Sequence, residues 1–298
     1  MREDDGTMES QDRRVEFDFE VDFSNGGGIQ GEGFRLDIDG DDIEDAALAA
    51  YVVRDMRLLM VGEVRILNRR IIREPHKRTR ASGPTRIDLS HVVEDGMVTY
   101  KGLPAPVVCD FLSREASREH YAPGTEFQIG TVQLCSNTGT YVDSPFHRYA
   151  DGADLSGLPL DRLADLDAVV VDAPGQAVDR AALEPYRVAG RAVLVRTGWD
   201  RHWRTDAYQE NHPFLTAVAA RQLAERGAVL VGIDSHNIDD TRGRSRPVHT
   251  LLLQAGVLIC EHMTNLAALP DQGFAFTAVP PRIAGMGTFP VRAFAEVR

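Results

Sequence analysis

Cysteine, lysine and long apolar runs are all scarce in this 298-residue chain. The three cysteines, Cys109, Cys135 and Cys260, are odd in number and lack CxxC spacing. That excludes a disulfide framework and a cysteine-rich zinc site, and it suits a reducing compartment. Only Lys77 and Lys101 among the 33 basic residues are lysine, a bias with no functional reading. No stretch approaches the roughly 18 apolar residues a membrane span needs. The opening MREDDGTMES has neither a basic n-region nor an apolar h-region. The expectation is a cytoplasmic protein with no membrane partner. An excess of positive charge is missing too: the net charge is −12. Nucleic acid is therefore excluded as a partner, because phosphate binding needs clustered cations. There is no GxSxG elbow and no HExxH. The glycines between Gly26 and Gly33 lie between two strand patterns and open no helix, so they form no phosphate cradle.

What is present is a chain with 43% apolar residues, enough for a sizeable core. Its charge is uneven. Residues 1–50 carry 16 acids against 4 arginines, and residues 51–80 carry 9 basic residues against 3 acids. Within the acidic block, Val15 to Phe23 alternates apolar with acidic residues, the pattern of a strand with one buried face. A Ser24–Gly28 turn and a second alternation over Gly33–Ile38 read as a hairpin. A helix follows through Ala46–Leu59, and Val64–Leu67 with Ile71–Ile72 suggest a further strand. The expected organisation is a disordered tail at 1–13, a small α+β module at 14–78 and a linker at 79–85. Acids of the first half and arginines of the second are placed to pair.

Residues 86–298 alternate short apolar runs with helical stretches, which predicts an α/β domain with a buried sheet. Val169–Val171, Ala192–Val195, Val229–Ile233 and Val257–Cys260 read as buried strands. Thr216–Arg226 and His249–Ala255 read as helices.

The chemistry concentrates in Ser136-Asn137-Thr138-Gly139-Thr140-Tyr141-Val142-Asp143-Ser144-Pro145-Phe146-His147. As a strand it would project Asn137, Tyr141 and Asp143 from one face, with Pro145 ending the ladder and letting His147 turn back. The residues alone allow a metal or acid–base constellation, or a polar strand end with a surface histidine. The segment resembles the signature His-x-Gly-Thr-His-x-Asp-x-Pro-x-His of the cyclase family, which includes bacterial kynurenine formamidase, isatin hydrolase and antibiotic-biosynthesis cyclases. Gly139, Thr140, Asp143, Pro145 and His147 match in register. Asp88–His91, Val195–Trp199, Val231–Asp234 and Thr264–Leu266 extend the likeness over about 86–298, and the N-terminal module lies outside it.

The resemblance implies a kynurenine formamidase-like swivelling β/α domain. It also implies a two-metal site, of which Asp143, His249 and Glu261 match one ion's ligands and His147 matches the catalytic general base and acid. At the two remaining ligand positions stand Asn137 and Tyr141, poor donors for zinc or manganese. Two readings stay open: one divalent ion at Asp143, His249 and Glu261, or metal-free catalysis in which Tyr141 and Asn137 donate to an oxyanion. His91, Trp199 and His236 are expected to line the substrate pocket. His262 reads as core or supporting, and Cys260 as a buried apolar residue. The run Arg242–Arg246 reads as a solvated loop or as an attractor of an anionic substrate.

The expected function is therefore an enzyme for a small cyclic or cyclisable carbonyl compound. It would be a natural-product, polyketide-like cyclase or an amide or lactone hydrolase, assembled as a homodimer or homotetramer. The reading of another class is a catalytically silent subunit whose N-terminal module docks a partner.

Overall fold

The computed structural model describes residues 13–38, 40–73 and 84–297, and the chain divides between 83 and 84 into two compact units. The expected tail and linker lie outside the described residues, except that Arg13 opens a strand and Thr85 opens another.

In the first unit, β1 (Arg13–Phe23) is the centre of a three-stranded antiparallel sheet between β2 (Gly28–Asp37) and β3 (Val61–Arg73), with α1 (Asp45–Asp55) before β3. The alternation puts Val15, Phe17, Phe19 and Val21 on one face, where they are buried with Leu48 and Val52 of α1. Burial of each such side chain contributes about 1.5–3 kcal/mol. On the other face the two charge blocks meet: Arg65 lies 2.9 Å from Glu20, and Arg70 lies 2.8 Å from Glu16, which Arg35 of the acidic block also contacts at 2.8 Å. Exposed pairs of this kind are worth about 0–1 kcal/mol each and mainly set register. The helix stops at Asp55 rather than near Leu59, because Arg57 and Met60 take left-handed backbone angles.

The second unit has short edge elements and a parallel centre. In chain order these are β4 (Thr85–Asp88), β5 (Val107–Leu112), α2 (Arg114–Ser117), β6 (Ile129–Gln133), β7 (Tyr141–Asp143), β8 (Leu166–Asp172), β9 (Ala177–Val178), α3 (Arg180–Leu183), β10 (Ala192–Arg196) and β11 (Phe214–Leu215). Then come α4 (Ala217–Glu225), β12 (Leu230–Ile233), α5 (Pro247–Gln254), β13 (Leu258–Glu261), β14 (Gln272–Thr277), β15 (Thr288–Pro290) and β16 (Phe294–Val297). Nine of these strands form one sheet in the order β15-β7-β13-β12-β10-β8-β14-β16-β4. The four central strands are parallel, and both flanks are antiparallel.

Both faces of the centre are covered, which is why its strands are apolar without alternation. Val171, Val195, Ile233 and Ile259 pack with Leu223 of α4 and Leu252 of α5 on one side. Val170, Leu194, Leu230 and Leu258 pack with Phe274 and Phe276 of β14 on the other. The Thr216 hydroxyl caps α4 by accepting from the Ala219 N–H at 3.1 Å. Among the described residues no helix is long and apolar enough to cross a membrane.

Candidate active site

The signature segment does not enter as a long strand. Gly139 adopts φ +66°, and β7 begins only at Tyr141. A side chain at 139 would be strained by that angle and would press on Val93. Alternation therefore fails to relate Asn137 to the strand, yet Asn137 and Tyr141 both reach one cavity.

Asp143 sits in β7 between β13 and β15, opposite Ile259 and Thr288. Beyond it Pro145–His147 forms a 3₁₀ turn, and Ser144 N donates to Gly287 O at 2.7 Å. Only glycine is tolerated at 287, since a Cβ there would collide with the His147 backbone. This close approach sets Thr288 between the two functional groups. Its hydroxyl donates to Asp143 Oδ1 and lies 2.8 Å from His147 Nδ1. A hydroxyl has one proton, so the network assigns Nδ1–H to His147 and leaves a lone pair on its Nε2.

His249, at the start of α5, is oriented in the same manner. Asp239 accepts from the backbone N–H groups of Val248 (2.7 Å) and His249 (3.0 Å) and contacts His249 Nδ1 at 2.7 Å. His249 Nε2 then stands 3.6 Å from Asp143 Oδ2 and 3.7 Å from Glu261 Oε1. Burial opposes a charge on His249, but Glu261, Asp143 and Asp239 outweigh it and raise its pKa to about 10. Glu261 closes β13 in the core. Its Oε1 accepts from the Ile238 N–H at 2.6 Å, and its Oε2 accepts from the Tyr141 hydroxyl at 2.5 Å. Burial, then the charges of Glu261 and Asp143, push the Tyr141 phenol well above its usual range, so it stays protonated and donates. Asn137 hydrogen-bonds Tyr141 in turn. The two residues that depart from the signature thus form a hydrogen-bond chain ending on Glu261.

The remaining donor set suits one divalent cation. Asp143 Oδ2 is buried without a hydrogen-bond partner and faces the imidazole that Asp239 has locked. The donor atoms of Asp143, His147 and His249 all lie within 4.8 Å of one another. The separations from His249 Nε2 to Asp143 and Glu261 are near the edge of a tetrahedron with bonds of about 2.1 Å, roughly 3.4 Å. A metal would replace the proton that the carboxylates otherwise draw onto His249.

Asn137, Tyr141, His147, His249 and Glu261 line a cavity of about 260 Å³ together with Tyr100, Leu103, Arg148, Asn237 and Arg246, and Asp143 is fully buried next to it. A second cavity of about 970 Å³ shares Tyr100, Leu103 and Arg246 with it and is walled by Trp203, Tyr208 and His236. Of the three expected pocket residues, His236 alone lines one of these two cavities. His91 and Trp199 line neither cavity. His91 stacks flat on Trp203 with centroids 3.9 Å apart, and Trp199 donates its indole N–H to Tyr208 O at 2.9 Å. Trp199 is held by a turn that Asp234 organises, accepting from the N–H groups of Thr197 and Gly198. His262 is fully buried beside Tyr208 and Trp203. Burial pushes the Cys260 thiol up, so it is no nucleophile at neutral pH. Asp239, Thr288 and Tyr100 had no distinguishing mark in the sequence, whereas Arg246 belongs to the Arg242–Arg246 run read there as a solvated loop or an attractor of an anionic substrate. Asp239 lies in an Asp-Asp pair that reads as a polar turn.

The Cyclase family model matches residues 87–240. Curated relatives include kynurenine formamidases of Bacillus cereus (strain ATCC 14579) and Bacillus cytotoxicus. Each is 27% identical over 216 residues, covering 70% of this chain and 95% of the relative. An isatin hydrolase bound to the product analogue thioisatinate superposes with a TM-score of 0.62 at 21% identity, covering 73% of this chain and 94% of its own. A potential metal-dependent hydrolase with cyclase activity superposes with a TM-score of 0.60 at 23% identity, covering 72% and 98%. With the family model spanning more than half its length and the signature histidine lining the cavity beside the buried signature aspartate, this chain belongs to the cyclase family and is an enzyme of its hydrolase and cyclase class.

Proposed function

We propose that the enzyme hydrolyses an amide or lactone carbonyl with one divalent ion, zinc or manganese, held by Asp143, His249 and Glu261. The observation that carries this reading is the unpartnered Asp143 Oδ2 facing a His249 whose Nδ1 is fixed by Asp239. The ion would supply Lewis acidity and a more acidic water. The chain's own groups divide the remaining work. His147, with Nδ1–H given to Thr288, offers Nε2 to take a proton from the attacking water and return it to the leaving group. Tyr141 and Ile238 N–H fix the Glu261 carboxylate, and Asn137 holds Tyr141. Metal-free catalysis would need Tyr141 as an oxyanion donor, and its proton already goes to Glu261. Hydrolysis is preferred to polyketide-like cyclisation because the curated relatives are named formamidases.

A second copy of the chain is the proposed partner. The β5–β6 ribbon leaves Val108, Phe111, Ile129 and Val132 exposed, Phe111 at 78%, with Phe127 exposed just before β6. An isolated two-stranded ribbon with that much apolar surface is marginal in water, and a homodimer or homotetramer would cover it.

Metal analysis of protein purified without chelator, with turnover of formanilides and aryl lactones, tests the catalytic reading. About one equivalent of zinc or manganese is expected, lost in Asp143→Ala. His147→Ala should keep the metal and lose about 10²- to 10⁴-fold in kcat. Two equivalents, or a His147→Ala enzyme at full rate, would overturn it.

A further inference from the structure

We propose that Arg246 is an anion subsite, and that the substrate is an aromatic carbonyl compound bearing a carboxylate; this deepens the hydrolase reading and rests on it. Arg246 occurs at the junction of the two cavities and lines both. Its side chain is partly buried, and no carboxylate is paired with it among the described residues, whereas its neighbour Arg242 is paired with Asp240 at 2.8 Å. A half-buried guanidinium without a counter-charge is poised to gain from an anion that enters.

The guanidinium is also held in place. Its backbone contacts all run through Nη1, to the carbonyl oxygens of Ser245 (2.8 Å), Gly243 (2.9 Å) and Asp240 (3.5 Å). The Tyr100 hydroxyl hydrogen-bonds the same group. Fixing one nitrogen orients the planar fork, the arrangement that recognises a carboxylate through two parallel bonds. Arg148, which lines the smaller cavity, contacts the Thr250 hydroxyl (3.3 Å) and the Tyr149 ring and is paired with no carboxylate among the described residues, which adds a second positive charge to the same cavity.

The surrounding surface specifies the rest of the ligand. Tyr100 stacks on His236 with centroids 4.6 Å apart, and together with Trp203 and Tyr208 it gives the larger cavity flat, apolar faces. The larger cavity carries both signs, Lys101 and Arg204 with Asp206 and Glu210, and Arg204 is paired with Glu94, whereas Arg246 is the cation that both cavities share. With the reacting carbonyl over His147 and His249, the carboxylate reaches Arg246 and the aromatic frame lies against Tyr100.

The test compares 2-formamidobenzoate with its methyl ester, which share a scissile bond and differ in charge. Wild type should prefer the carboxylate by tenfold or more in kcat/KM. The ratio should collapse to near one in Arg246→Met and be intermediate in Arg246→Lys, which keeps the charge without the fork. A wild-type ratio below two, or a ratio unchanged in Arg246→Met, overturns the subsite. If neither probe turns over in any variant, the hydrolase reading fails for this class. The carboxylate-to-ester ratio is then read from equilibrium Kd values by Trp203 fluorescence, with the same expected and contrary outcomes. Arg246→Lys keeps the comparison readable should Arg246→Met not fold.

Discussion

Two walls of one site treat the same residue type in opposite ways. On the wall formed by Asp143, Asp239 and Glu261, His249 is surrounded by carboxylates and its proton affinity rises to about 10 despite its burial. On the wall formed by Tyr100, Trp203 and Tyr208, burial holds His236 near 3, with His212 adding to the effect, and burial holds His91 near 4. Burial penalises charge on both walls, and the neighbours alone decide whether it prevails. The carboxylate wall presents negative charge, and the imidazole–aromatic wall presents flat, uncharged faces. Tyr141 stands at the seam, hydrogen-bonded to Glu261 and 5.2 Å from the His262 ring.

The carboxylate wall breaks most severely at Asp239, which touches no substrate and acts by positioning His249. Asp239→Asn keeps the shape but weakens the acceptor that fixes the His249 tautomer. Affinity for the ion should fall about 10- to 100-fold, measured by competition with a chromogenic chelator. Turnover at saturating metal should fall much less, which separates positioning from a structural role. An unchanged metal affinity would show that Asp239 only caps α5.

The sequence made the two walls unequally legible. The resemblance picked out Asp143, His147, His249 and Glu261; the last three line one cavity, and Asp143 is buried 3.8 Å from His147 and 3.6 Å from His249. Asp239 escaped because a buried carboxylate ten residues before its histidine looks like any turn aspartate. Trp203 and Trp199 are both in one loop, and spacing does not tell which of them faces the cavity; the 3₁₀ turn at Trp199–His202 decides it. In the first unit the alternation of Val15–Phe23 declared β1 and its buried face. The early end of α1 rests on left-handed angles at Arg57 and Met60, which no glycine announces. The parallel strands were legible because burial on both faces leaves their sequences uniformly apolar.

On the imidazole wall the test is pH. The folded pKa of His236 lies below the unfolded value of about 6.5, so between roughly pH 3 and 6.5 the unfolded chain binds more protons. Its contribution to stability is complete above pH 6.5 and is lost as pH falls. At pH 5 the loss amounts to about 2 kcal/mol. His236→Gln removes this term while leaving His91, His212 and His262, which face the same cluster. The stability gap between wild type and His236→Gln in urea should therefore shrink, or reverse, from pH 7 to pH 5. A constant gap would mean that His236 titrates normally and that the wall is wetter than its 4% exposure indicates.

The smallest effect is expected at the seam. Tyr141→Phe removes one hydroxyl and leaves Glu261 Oε2 buried without its donor, at a cost of about 1–2 kcal/mol. The loss belongs to the pair and not to the ring, because Phe fills nearly the same volume. In an Glu261→Gln background the carboxylate is already gone, so the same Tyr141→Phe step should cost distinctly less. A coupling of about 1 kcal/mol or more from the double-mutant cycle is the expected result. Additive costs would show that Tyr141 stabilises the seam by packing against His262, leaving the carboxylate wall to stand without it.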